Sequence, residues 1–189
     1  MSRWQPDARE RLERAALELF AQQGFAATTV PEITARAGLT TRTFFRHFAD
    51  KREVIFSGEA MVPAFATRLM AEAPAGLAPM ELVLEGLRTV AETRFEGRRE
   101  DLRARRDIVR TDDSLRERDL RKRAGLSEAV REGFLLRGIA PTTAALLADT
   151  CVTLLYVSLE EWLDQEGDRP LFEIITETLA TLRATLTSG

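Results

Sequence analysis

From residue 8 onward, apolar and polar positions alternate with the period of an amphipathic helix. Leu12, Ala15, Ala16, Leu19 and Phe20 fall at i, i+3, i+4, i+7 and i+8, one side of a helix expected near residues 8–22. Asp7 and Glu10 stand at capping-box spacing ahead of it, and Gly24 is placed to close it in a left-handed turn. Start signals then recur at short intervals. Thr29 precedes Glu32, Thr40 precedes Arg42 and Thr43, and Asp50 precedes Glu53, so each opens a new helix. Between the second and third helices, Gly38 can take the positive φ that reverses the chain within a few residues. Val30, Ile33 and Ala37 line one side of the second helix, and Leu39, Phe44 and Phe48 form the packing side of the third. Both sides would close on Leu19 and Phe20, giving three short helices around one small core.

A longer helix is expected from Lys51 towards Met70, on Val54, Ile55, Met61, Val62, Phe65 and Leu69. Pro63 lies inside it, where it removes a backbone donor and clashes with the carbonyl of Glu59, so a kink or break is expected. Pro74, Ala75, Gly76 and Pro79 mark a loop. Further helices are expected over about residues 79–94 and 98–110, and another opened by Ser114 and Glu117 and closing near Arg137 and Gly138. Residues 141–163, behind Pro141, read as a helix buried on most sides. The last helix starts at Pro170 and carries Leu171, Ile175, Leu179, Leu182 and Leu186 at near-heptad spacing. Two apolar helices joined by a short loop suit an intrachain core or a partner helix pair; the excess of apolar surface favours a homodimer closed by four helices. No segment alternates with period two between hairpin turns. The expected fold is therefore all-α, with about nine helices.

Composition agrees with a packed chain: of 189 residues, 44% are apolar and 30% charged, far from the signature of disorder. One cysteine, Cys151, excludes an internal disulfide, and one histidine, His47, leaves too few ligands for a conventional zinc site. No metal and no cofactor is expected. The longest nearly continuous apolar run, Cys151 to Val157, falls far short of the ~20 residues that span a bilayer. Asp7, Glu10 and Glu13 interrupt the place where a signal peptide would be apolar, so a cytoplasmic protein without a membrane partner is expected. Charge is uneven along the chain. Residues 1–56 hold nine Lys or Arg against seven Asp or Glu, whereas the remainder is acidic and brings the net charge to −3. The basic character sits at the front, where nucleic acid would be met.

The third helix reads Thr40, Thr41, Arg42, Thr43, Phe44, Phe45, Arg46, His47, Phe48. At ~1.5 Å per residue it is about 13 Å long, comparable with a major groove roughly 12 Å wide. Phe44 and Phe48, four apart, face inward, so Thr41, Arg42, Phe45 and Arg46 project elsewhere. Arg42 can donate bidentately to guanine, and threonine methyls can meet thymine methyls. Thr29 and Lys51 stand near helix N-termini that favour phosphate. The blander reading makes Arg42 and Arg46 solvated charges. The arginines from Arg98 to Arg123 interleave with acids such as Glu100, Asp107 and Asp119, which suits a salt-bridged solvent face better than a second nucleic-acid site.

The run from Thr29 to Thr40, followed by Phe44 to Lys51, together with Leu19, Phe20, Gly24 and Phe25, resembles the DNA-binding domain of the TetR family of transcriptional repressors over about residues 9–56. The resemblance implies a three-helix helix-turn-helix domain, residues 1–50, followed by a helical ligand-binding and dimerisation domain, residues 51–189. It also implies a homodimer paired through its last two helices. The DNA contacts it implies are Thr29, Thr40, Thr41, Arg42, Thr43, Phe45, Arg46, His47 and Lys51. Two positions depart from the family pattern. Phe45 stands where a tyrosine hydroxyl often bonds phosphate, leaving that contact to His47, which otherwise caps the helix. Arg42 stands where a small residue is usual and adds a long side chain at the groove.

The expected function is repression: a homodimer reads two major grooves ~34 Å apart on a palindromic operator, and a small molecule releases it. Pro63 is the expected bending point of the link to the DNA-binding unit. A hundredfold release requires a coupling of only ~2.7 kcal/mol. Candidate ligand contacts are Phe65, Leu69, Phe95, Val109, Cys151, Tyr156 and Trp162, with Arg106 or Arg110 for an anionic group and core packing as their alternative role. The effector expected there is apolar. The rival classes are a helical enzyme and a dimeric adaptor that does not use DNA. The only histidine lies on the recognition helix, and no phosphate loop, H-E-x-x-H or Cys-x-x-Cys occurs, which speaks against an enzyme.

Overall fold

The computed structural model describes residues 7–56, 62–74 and 76–187, and all their regular structure is helical. Ten α-helices and one π turn occur among the described residues, one helix more than expected. The described chain forms two compact units, residues up to 60 with Arg103–Asp119, and Met61–Leu102 with Leu120–Gly189.

The first unit holds α1 (Ala8–Gln23), α2 (Val30–Ala37), α3 (Thr41–His47) and α4 (Lys51–Ile55), joined by the second half of α7 (Arg99–Arg110) and the start of α8 (Asp113–Leu136). Leu12, Phe20, Ile33, Phe44, Phe48 and Ile55 are at most 3% exposed. Burial of each such side chain contributes about 1.5–3 kcal/mol, which is why the short helices hold together. Ile108 of α7 and Leu115 of α8 complete this core. The arginine-rich stretch is thus not wholly a solvent face. Arg105 is buried, with Nη2 3.8 Å from Glu13 Oε2 and Nη1 donating to the Ile55 carbonyl at 3.5 Å.

The second unit holds α5 (Val62–Glu72), α6 (Pro79–Val90), the π turn Ala91–Phe95, the start of α7, the rest of α8, α9 (Pro141–Asp164) and α10 (Leu171–Thr187). Its core includes Leu154, Trp162, Leu171, Ile174 and Ile175. Helices α9 and α10 pack together, with Ser158 Oγ 2.9 Å from Thr178 Oγ1. The joint between them is pinned: the Trp162 indole N–H donates to the Arg169 carbonyl at 2.9 Å, and Arg99 Nε donates to the Trp162 carbonyl at 2.8 Å. Glu96 accepts from the Leu171 amide at 3.0 Å and so caps α10.

Several sequence expectations need correction. The helix expected from Lys51 to Met70 is two helices. The first ends at Ile55, and Pro63 lies in the first turn of α5, where its missing N–H leaves no bond unmade. Glu59 and Met61 lie outside the described residues. Asp7 makes no side-chain cap on α1. Gly24 closes α1 with φ +83° but an extended ψ of 157°, not a left-handed helical pair. Asp112, not Ser114, opens α8, accepting from the amides of Ser114 and Leu115 at 2.9 and 3.2 Å, while the Ser114 hydroxyl donates to the same carboxylate. Helix α9 is long and apolar enough by length and composition to cross a membrane, which the shorter apolar run had hidden; here it is a core helix. It is not buried on most sides, since Leu146 and Val157 are 65% and 50% exposed.

Candidate DNA interface and ligand cavity

The helix-turn-helix is built by caps that the sequence carries locally. Thr29 accepts from the Glu32 amide while its own N–H donates to Glu32 Oε2 at 2.7 Å, a complete capping box. The hydrogen bonds from Thr29 hold the Glu32 carboxyl below its usual pKa. Gly38 takes φ +63° in the left-handed region, and Arg11 Nη2 donates to the Ala37 carbonyl at 2.5 Å, closing the end of α2. Thr40 then caps α3 by accepting from the Thr43 amide at 3.2 Å. A third cap follows, Asp50 accepting from the Glu53 amide at 2.8 Å.

These restraints fix which way α3 turns. Phe44 and Phe48 are buried and 5.4 Å apart by ring centres, whereas Thr41, Arg42, Phe45 and Arg46 face solvent. Phe45 is 59% exposed, braced edge-on against Phe44. An exposed ring on the same helix edge as the exposed Arg42 and Arg46 suits a surface that meets bases. Neither Arg42 nor Arg46 forms an ion pair among the described residues.

Thr29, Thr40, Thr43 and Lys51 are occupied within the fold. Thr43 is half-buried and shares its hydroxyl with Thr40 at 3.0 Å. The Thr29 hydroxyl bonds Glu32. Lys51 Nζ donates to the carbonyls of Phe25, Ala26 and Thr28 at 2.8, 3.2 and 2.9 Å, and lies 4.4 Å from the Phe25 ring centre. With three carbonyls engaging its three protons, this ammonium fastens the turn between α1 and α2. His47 is half-buried, and its Nε2 is enclosed without a hydrogen-bond partner among the described residues.

The second unit contains an apolar cavity of about 280 Å³. Its walls come from Leu69 and Met70 of α5, Val83 and Leu87 of α6, Phe134 of α8 and Cys151 of α9. Burial pushes the Cys151 thiol up to about 12, so it lines the cavity as a small neutral group. Of the ligand contacts nominated from sequence, Leu69 and Cys151 line this cavity and the others do not. Arg106, Val109 and Arg110 belong to the first unit, where Val109 packs against the core. Trp162 is buried at the α9–α10 joint, and Phe95 and Tyr156 pack beside the core. Phe65 carries Arg68 and Arg94 at 5.6 and 5.1 Å from its ring centre. The walls that sequence reasoning missed, such as Met70, Val83 and Phe134, read as ordinary core positions, because only tertiary packing separates a core face from a cavity wall.

Comparison with known proteins gives the same assignment. Residues 13–57 match the model of the bacterial regulatory proteins of the tetR family. The HTH-type transcriptional regulator TcmR of Streptomyces glaucescens is 38% identical over 82 residues, which are 43% of this chain and 36% of TcmR; the chain thus spans little more than a third of that relative. FadR of Thermus thermophilus, a TetR-family transcriptional repressor solved with lauroyl-CoA, is 26% identical with a TM-score of 0.53 over 92% of each chain. The multidrug binding protein EbrR, solved with malachite green, shares the fold at 23% identity and a TM-score of 0.57, over 94% of this chain and 98% of its own. Residues 13–57, whose third helix bares Arg42, Phe45 and Arg46, thus match the tetR-family DNA-binding domain, and the chain as a whole is similar in fold to TetR-family regulators.

Proposed function

We propose that the protein is a cytoplasmic, ligand-released repressor that binds palindromic operator DNA as a homodimer. The observation that carries this reading is the outward edge of α3, where Thr41, Arg42, Phe45 and Arg46 stand exposed on a helix braced from behind by Phe44 and Phe48. Arg42 and Arg46 read bases or phosphates, Phe45 and the threonine methyls meet thymine, and the capped N-termini behind Thr29, Thr40 and Lys51 offer backbone N–H groups to phosphate. His47 reaches phosphate only if its ring turns, because its Nε2 is enclosed. The cavity of the second unit is the effector site, and the complex of FadR with lauroyl-CoA supports a small-molecule effector. Helices α7 and α8 each give part of their length to each unit, so a change in their packing is felt in both.

Footprinting of purified protein on genomic DNA tests the reading. Protected sites should be inverted repeats with half-sites about one helical turn, ~34 Å, apart. Arg42→Ala should lose about 1–3 kcal/mol, roughly fivefold to 150-fold in affinity, and relax preference at one base pair. Arg46→Ala should instead flatten the salt dependence. Retention of all protected sites by the double variant would remove α3 as the reading element.

A further inference from the structure

The cavity of the second unit has a floor and a mouth of different chemistry. Phe134 of α8 and Cys151 and Leu155 of α9 are buried and form the floor. Glu72, Leu77 and Glu85 line the same cavity yet are exposed, so it opens to water between α5 and α6. Glu72 follows lining residue Leu69 by three positions, and Glu85 stands three after Leu82 and four before Thr89, so each carboxylate shares its helix face with the lining. Gly86, the next residue of α6, also lines the cavity, and an added Cβ there would meet nothing within 4 Å. The mouth therefore has room where a helix interior ordinarily carries a side chain, although glycine costs the helix about 0.5–1 kcal/mol relative to alanine.

Apart from the buried thiol of Cys151, every ionisable group on the wall is an acid; among the described residues the lining holds no lysine, arginine or histidine. Two cations stand beside the rim without lining the cavity. Arg88 lies 3.7 Å from Glu85 and 4.5 Å from the Phe172 ring centre, and Arg137 donates to the carbonyls of Met70, Ala73 and Pro74. Glu85 is thus partly balanced, whereas Glu72 forms no ion pair among the described residues. An anionic occupant would meet no counter-charge on these walls: its charge would be buried unpaired in the interior or face like charge at the mouth. A cation at the mouth keeps water on one side and gains opposite charge on the other.

We propose that the cavity takes an amphipathic cation, its apolar body lying on Phe134, Cys151 and Leu155 and its ammonium group held at the mouth beside Glu72 and Glu85. The assignment rests on the cavity being the effector site and names the charge of the effector. It reverses the charge expected from Arg106 and Arg110, which belong to the first unit.

The experiment titrates the full chain at pH 7 with decylammonium, decanoate and decanol below their micelle or solubility limits and reads binding by calorimetry. The two ions carry chains of matched length and differ in sign, and decanol reports the apolar body alone. Decylammonium should bind roughly tenfold more tightly than decanoate, since attraction of one and repulsion of the other by exposed carboxylates each change affinity about two- to fivefold. Glu72→Gln with Glu85→Gln should bring the two ions to within about twofold of each other and leave decanol nearly unchanged. Glu10→Gln with Glu166→Gln removes the same charge at exposed positions that do not line the cavity, and should keep the preference. Gly86→Leu should weaken all three ligands at least tenfold while the protein still melts cooperatively, and Gly86→Ala, which fills less of the mouth, should weaken them less. Equal binding of the two ions, a preference that survives the change at Glu72 and Glu85, or one lost equally in the charge-matched control overturns the cation. Undiminished binding of all three ligands by both Gly86 variants overturns the cavity as the effector site.

Discussion

Two lysines of this chain meet opposite fates, and the difference is one of solvation. Lys51 exchanges water for three carbonyls and an aromatic face, so its charge is compensated where it stands. Lys122 loses water to burial beside Arg123, and its pKa falls from 10.5 to about 7. The folded chain releases this proton near pH 7, whereas the unfolded chain keeps it up to about pH 10.5. Between those limits the unfolded state binds more protons, so Lys122 makes stability rise with pH across that window, while below pH 7 the full penalty is present. Lys122→Met should therefore melt higher at and below pH 7 and gain less as the pH is raised to 9. Thermal melts of both proteins across that range check this, and parallel curves would show that Lys122 is not the source. The sequence gives no hint of this residue, because burial of Lys122 follows from the packing of α8 within its unit. Of the contacts nominated from sequence, Cys151 and Leu69 line the cavity of the second unit, whereas Arg106 and Arg110 fall in the first unit, because most of α7 joins it.

Among elements, what was legible is what is local. Thr29, Thr40 and Asp50 cap the helices that their spacing announces, since a cap depends on three or four consecutive residues. The same reasoning failed at Ser114, which stands two places beyond the capping Asp112, and at Asp7, which occupies the N-cap of α1 but makes no side-chain bond there. The stretch 103–119 failed for another reason: its apolar residues are sparse, so its pattern speaks of solvent although Ile108 and Leu115 lie in the first core. The approach of α5 to α8 was equally invisible, yet it sets one wall of the cavity. A Cβ at Gly133 would stand 2.8 Å from both Cβ and Cγ of Met70, so the glycine is what lets the two helices close. Gly133→Ala should force them apart, destabilise by about 1–3 kcal/mol as overpacking does, and alter effector affinity. Gly125→Ala, on the same helix with nothing within 4 Å of the added carbon, should stabilise by about 0.5–1 kcal/mol. Denaturant titration of the pair separates close packing from helix propensity, and two shifts of the same sign would rule the close approach out.

For the molecule as a whole, the outstanding question is what covers the face of α9 left in water. Leu146 and Val157 lie eleven residues apart, three helical turns, on one side of α9, and Leu186 is 75% exposed on α10. Both helices already bury their other sides against each other and against α6. A second copy meeting the same face would cover these side chains by two-fold symmetry, and the pairing would place two recognition helices on one duplex. The proposed homodimer then gains its affinity chiefly from joint engagement of two half-sites. Loss of the pairing should weaken operator binding roughly 10²–10⁴-fold without touching α3. Leu146→Glu with Val157→Glu should yield a helical monomer by light scattering and leave only single half-sites in the footprint. Leu136, 85% exposed on α8, supplies the control: Leu136→Glu should leave the dimer and its footprint intact. A double variant that remains dimeric, or a dimer broken instead by the change at Leu136, would move the interface off α9 and with it the expected spacing of the two reading helices.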